Sequence, residues 1–89
     1  MRAIVTVIGK DAVGILAKVS TKCAEYNANV IEVTQSVLQD MFAMTMLIDI
    51  ANLNKDFASL ADSLEELGNS TGLKIHAMHE DIFNCMHHI

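Results

Sequence analysis

Apolar residues in this chain recur in two rhythms, every second residue or every third to fourth. The order of those rhythms leaves few folds open. Residues 3–8 (AIVTVI) are rich in β-branched side chains and read as a strand. Residues 9–14 (GKDAVG) form a loop with two glycines, and Asp11 is placed as a helix N-cap. From Gly14 to about Tyr26 the apolar positions are Ile15, Leu16, Val19, Cys23 and Tyr26, with Lys18, Lys22 and Glu25 on the wet side of a helix. Asn27 and Asn29 punctuate its exit, because Asn tolerates the left-handed conformation. Residues 29–38 then alternate, Ile31, Val33 and Val37 against Glu32, Thr34 and Ser36. Gln39 and Asp40 read as a tight turn, followed by strict alternation at Phe42, Met44, Met46, Ile48 and Ile50. Residues 52–54 offer helix caps, and Phe57, Leu60, Ala61, Leu64 and Leu67 make a second helical stripe that ends between Gly68 and Gly72. Residues 73–78 read as a fourth strand, and residues 80–86 as a short helix with Ile82, Phe83 and Met86 on one side.

The order is β-α-β-β-α-β with a helical tail: two βαβ-sized halves that repeat in pattern but not in identity. The expected fold is α+β and ferredoxin-like, with a four-stranded antiparallel sheet, two helices on one face and a short C-terminal helix. The length of 89 residues fits one domain, 1–89. In this topology the second strand is an edge, and its open backbone is a liability unless another chain covers it. That argues for a homodimer.

Composition excludes several classes. Six basic residues against eleven acidic give a net charge of -5, the opposite of a nucleic-acid surface. Aromatics at 4% supply few stacking platforms. The longest apolar stretch, residues 41–48, is too short to span a bilayer, and no targeting segment is visible. Cys23 and Cys85 are too few for a disulfide framework and read as reduced thiols of a cytoplasmic protein.

Fold does not fix function, so the first loop decides. A copper carrier needs thiolates there, and the loop has no cysteine. An acylphosphatase needs a guanidinium, and the chain's one arginine, Arg2, precedes the loop. An RNA-recognition sheet needs exposed aromatics, and the central strands offer only Phe42. What the loop does have is backbone. The helix start presents N–H groups at about Val13, Gly14 and Ile15, which favour a carboxylate. Asp11 beside them suits an ammonium, and the pair fits a zwitterionic amino acid. The plainer reading is that Asp11 only caps the helix and Gly14 only permits packing. On spacing alone both readings stand.

The run GKDAVGILAKVSTKCAEYNANVIEVTQSV resembles the opening of an ACT domain, a small-molecule-sensing module of amino-acid metabolism. The family pattern G-x-D-x-x-G, then A-x-x-S, then N-x-N-hydrophobic is matched at Gly9, Asp11, Gly14, Ala17, Ser20, Asn27, Asn29 and Val30, with Gln35 beyond. The closing HEDIFNCMHHI is similar to the tail of short stand-alone ACT proteins, and the whole is similar to the ACT halves of glycine cleavage system regulators. The resemblance implies a ligand at a domain–domain interface, held by Asp11 and Gly14 of one copy and by Asn29 and Val30 at the second strand of its neighbour. It also implies a homodimer acting on a partner enzyme or regulator. Gly9 departs from ligand-binding members that place a polar side chain in this loop. The alternative is a dimerisation or protein-interaction module that retains no ligand site.

His76, His79, His87 and His88 cluster near Cys85, Glu80 and Asp81, but their spacing shows no four-ligand metal geometry. On a strand, His76 and His79 point to opposite faces. Met44 and Met46 read as flexible core filler. No Ser-His-Asp or Cys-His pairing has a context that orients a nucleophile, so neither an enzyme nor a cofactor or metal is expected. A small enzyme built on the histidine-rich tail is the weakest reading.

Overall fold

The computed structural model describes residues 1–10 and 13–87. The element order is β1 (Arg2–Gly9), α1 (Ile15–Glu25), β2 (Asn29–Leu38), β3 (Met41–Asp49), α2 (Phe57–Thr71), β4 (Lys74–His79) and α3 (Glu80–His87). The strands form a four-stranded antiparallel sheet in the order β2-β3-β1-β4, so β2 and β4 are its edges. This is the expected ferredoxin-like arrangement with its C-terminal helix.

The sheet's register places Val5 opposite Met46 and Ala77, and Val7 opposite Met44 and Ile75. These side chains share the face covered by α1 and α2. Ile15, Val19 and Cys23 of α1 and Leu60 and Leu64 of α2 close the core over them. Met44 and Met46 are fully buried, so they fill the core as expected. Phe42 is buried too, which removes it as a stacking platform. Leu16, expected on the buried stripe, is partly exposed instead.

Period-two alternation along β2 is interrupted. A bulge between Val30 and Glu32 takes Ile31 out of register, so Val30 pairs with Ile48 and Val33 with Met46 on the helix face. Ile31 is 47% exposed and does not share a buried face with Val33. Val37 pairs with Phe42 but is 72% exposed at the hairpin end of this edge strand. The hairpin turns at Gln39, which takes the left-handed conformation with φ 58°.

Helix ends also correct the expectations. The N-cap position of α1 is Gly14, with φ 72°, three residues beyond Asp11, which lies outside the described residues. The N-cap of α2 is Asp56, not a residue of 52–54. Those residues clasp the end of α1 instead. Asn54 donates through Nδ2 to the Glu25 carbonyl (2.9 Å), and Asn27 donates to the Asn52 carbonyl (2.7 Å). The Glu25 carbonyl, one of those that α1 leaves open at its C-terminus, is thereby satisfied. Asn27 has φ 63°, the left-handed exit expected of it. Helix α2 runs through Gly68 and ends at Thr71, with left-handed Gly72 as its C-cap.

Helix α3 follows β4 directly and packs against β1 and β4. Arg2 and Glu80 tie its first turn to β1 through a 2.7 Å ion pair. Ile4 lies on the sheet face opposite α1 and α2 and is nevertheless buried.

Candidate functional site

The β1–α1 loop begins where β1 passes beneath the end of α2. Gly9 is half-buried, and a β-carbon there would fall 1.9 Å from Cδ2 of Leu73. Gly9 is therefore the close-packing glycine of the loop. Gly14 is not: nothing lies within 4 Å of where its β-carbon would be. Its φ of 72° is what requires glycine, because L side chains rarely adopt it. The reading of Gly14 as a packing residue is thus corrected. It turns the chain into α1, and the Lys18 N–H closes the first helical bond on the Gly14 carbonyl at 3.1 Å.

The expected site residues do not meet within one copy. Gly14 and Ile15 follow the Gly9 end of β1, where Gly9 pairs with Phe42 of β3. Asn29 pairs with Asp49, which in turn pairs with Arg2 at the other end. Strand β1 has eight residues, and at about 3.3 Å per residue its ends lie roughly 23 Å apart. Asn29 is exposed on the edge strand, while Val30 is half-buried and faces the helices. Val13 takes part in an interaction within the chain, so its N–H is not counted as an open donor.

The fold adds residues that the loop alone does not suggest. Val13 and Ile15 line a hollow of about 240 Å³ together with Lys18, Ser70, Thr71 and Leu73. It lies between the start of α1 and the end of α2. Lys18 reads in sequence as a solvated face, and Ser70 and Thr71 fall in the stretch where the helix end was open. Only tertiary contact joins them. Thr71 donates through Oγ1 to the Leu67 carbonyl (2.8 Å), and Ser70 donates to the same carbonyl (3.0 Å).

The histidines separate as expected. His76 pairs with Thr6 on the face away from α1 and α2, and His79 with Ala3 on the helix face, where its ring lies 4.4 Å from that of Phe57. Among the described residues no group of three His, Cys, Asp or Glu is placed to hold a metal ion. His88 lies outside those residues. Cys23 is buried, and burial pushes its thiol up to about 11, far from a reactive thiolate. No helix of the described residues is long and apolar enough to cross a membrane.

With this geometry in place, comparison with known proteins identifies the family. The ACT domain model matches residues 2–78. The chain belongs to the ACT domain family. ACT domains are regulatory small-molecule-binding modules. A UPF0237 protein of Methanocaldococcus jannaschii is 46% identical over 88 residues, covering 99% of this chain and 98% of that protein. An ACT domain protein from Streptococcus pneumoniae superposes with a TM-score of 0.81 at 37% identity, covering 93% of each chain. This chain is therefore similar over nearly its full length to stand-alone ACT proteins. A candidate glycine cleavage system transcriptional repressor shares the fold alone, with a TM-score of 0.68 at 20% identity over 86% of this chain and 44% of that one.

Proposed function

We propose that this ACT protein is a non-catalytic amino-acid sensor that works as a homodimer in the cytoplasm. Its ligand sits between the β1–α1 loop of one protomer and the start of β2 in the other. The observation that carries this reading is the separation of Gly14 from Asn29 by the length of the sheet. A two-fold axis pairs an edge strand with its own copy in antiparallel sense, so the start of one β2 meets the end of the other. The end of β2 is also where α1 begins, since Val37, Phe42 and Gly9 lie in one row across the strands. Asn29 of a second copy is then brought toward the Gly14 loop of the first. Asn29 carries both donors and an acceptor, so it can address either end of a zwitterion. Asp11 beside the loop would accept from the ammonium, and Val30 would shape the strand start. Ligand binding would act on a partner enzyme or regulator by changing its affinity for this protein.

A second reading, a dimerisation module with no ligand, is favoured by a different observation. Ile8, Val13, Leu16, Val37 and Met41 are all exposed at this end of the sheet, a concentration suited to protein contact. Calorimetric titration against the twenty common amino acids separates the two. Heat with one of them, lost in Asn29→Ala, supports sensing; no heat with any supports the module. Light scattering at micromolar concentration should give twice the 9.7 kDa chain mass under either reading. A persistent monomer overturns both.

A further inference from the structure

We infer that the outer face of the helix layer is a self-association surface, on which α1 of one copy packs against α2 of a second. It uses neither the β2 edge nor the β1–α1 loop, so it stands apart from the sensing reading. The two helices divide the charge between them. Helix α1 carries Lys18 and Lys22 with one acid, Glu25, whereas α2 carries Asp62, Glu65 and Glu66 and no base. Glu25 is already paired with Lys22, at 3.2 Å. Lys18 and the three carboxylates of α2 are exposed, and none of them has an ion pair among the described residues. Asp62 stands three and four residues from Glu65 and Glu66, spacings at which like charges destabilise a helix. Cations brought from outside relieve them. A polyanion suits α1 but is repelled by α2, and a basic partner suits α2 but meets Lys18. A surface with both signs in this layout fits, and this chain has one.

The geometry lets two copies meet in register. Helices α1 and α2 lie side by side and antiparallel: Val13, Ile15 and Lys18 at the start of α1 share a hollow with Ser70 and Thr71 at the end of α2. At the other end Tyr26 hydrogen-bonds Ser63. A two-fold axis parallel to the helices, just outside the layer, carries α1 of the second copy over α2 of the first. It keeps each residue at its own height along the helices, and the crossed pair is antiparallel, with opposed dipoles. Lys18 and Lys22 line a groove of about 300 Å³ together with Leu67 of α2, so they stand at its level. Glu65 and Glu66 directly precede Leu67. Lys18 and Lys22 of the second copy therefore arrive at the height of Glu65 and Glu66, and the pairing repeats across the axis. Ala17 and Thr21, exposed on the same groove, are short enough to let the helices approach.

The contact is weak by construction. The layer is two helices wide, the longer of 15 residues, and offers roughly 400 Å² per protomer, about half the share of a standard interface. Exposed ion pairs add little each. Association at about 0.1–1 mM is the expected scale. Sedimentation equilibrium from about 10 μM to 1 mM tests it on the full chain, with thermal melts to check that each variant folds. The wild type should double its mass across this range, whether its smaller species is the β2-paired dimer or a monomer, and lose the doubling near 1 M salt, where screening is short-ranged. Lys18→Glu should abolish the doubling, and Lys74→Glu, the same charge change on exposed β4, should not. Lys18→Glu with Lys22→Glu makes both helices acidic, and Glu65→Lys with Glu66→Lys makes both basic. Neither double variant should associate alone, but an equimolar mixture should, because each helix then meets its opposite. A wild type that never doubles, a doubling that survives in Lys18→Glu or in salt, or a mixture that stays apart overturns the assignment. The β2 pairing and the sensing reading are untouched by any of these results.

Discussion

Gly9 and Leu73 are in contact so close that no other residue fits at position 9 without moving the leucine: an added β-carbon would lie 1.9 Å from Leu73 Cδ2 and 3.2 Å from its Cγ. The obstructing atom is the tip of a flexible side chain, not backbone. A methyl group at Gly9 would therefore turn Leu73, which also walls the hollow between α1 and α2. Gly9→Ala should fold, lose about 1–3 kcal/mol to overpacking, and bind amino acid more weakly than wild type. Urea denaturation and titration read the two effects separately. Unchanged stability would mean that Leu73 has another rotamer free of cost.

Gly14 makes the opposite case, with space but an unusual backbone angle of φ 72°. Gly14→Ala should cost about 1–2 kcal/mol, the penalty of a β-carbon in the left-handed region. Gly14→Asn should cost less, because Asn visits that region readily. An alanine variant as stable as the asparagine variant would contradict the assigned conformation.

Gly68 faces backbone. Its added β-carbon would sit 2.8 Å from the Leu73 carbonyl oxygen and 3.1 Å from the Ile75 nitrogen. Alanine there gains up to about 1 kcal/mol of helix propensity but forces α2 away from β4, at a typical cost of about 1–3 kcal/mol. Gly68→Ala should thus be destabilising despite lying inside a helix, with a lower midpoint in urea. Stabilisation would show that α2 can lift off β4 cheaply.

These glycines mark what sequence could and could not disclose. The strand alternation through Phe42, Met44, Met46 and Ile48 and the stripe Phe57, Leu60, Leu64 needed only local periodicity, and both hold in the structure. Which glycine ends α2 depended on long-range contact. Gly68 is buried against β4 and Gly72 is left-handed, and neither property has a local signature. The β2 bulge was invisible for a similar reason, because Val30 to Val33 alternate acceptably in either register. That Val13 and Ile15 stand together at the start of α1, where they line the hollow, was legible from the position of the helix start. The contribution of Lys18, Ser70 and Thr71 to the same hollow was not, since the pairing of α1 with α2 exists only in three dimensions.

Stability should fall at low pH through Asp56. A hydrogen bond from the Ser59 hydroxyl holds this carboxyl below the usual carboxylate value at the N-cap of α2. The folded-state value is the lower one, so the contribution is complete above the unfolded carboxylate pKa. It is lost as pH falls through the folded one. Asp56→Ala should melt below wild type at neutral pH, and the gap should narrow as the buffer is taken below about pH 4. A gap that does not change with pH would assign the effect to helix propensity alone.

The two cysteines should differ sharply in reactivity. Thiolate, not thiol, attacks disulfide reagents. Cys23 is fully buried on the core face of α1, and burial pushes its pKa up to about 11, so at neutral pH it is both shielded and protonated. Cys85 is exposed on α3. An aromatic disulfide reagent at pH 7.5 should therefore release one equivalent of chromophore quickly from the native protein. The second equivalent should appear only in denaturant, at the rate of unfolding. Cys85→Ser should abolish the fast phase and leave the slow one. Two fast equivalents from the native protein would mean that α1 separates from the sheet on the time scale of the reaction, and that the core around Val19 and Cys23 is looser than its burial indicates.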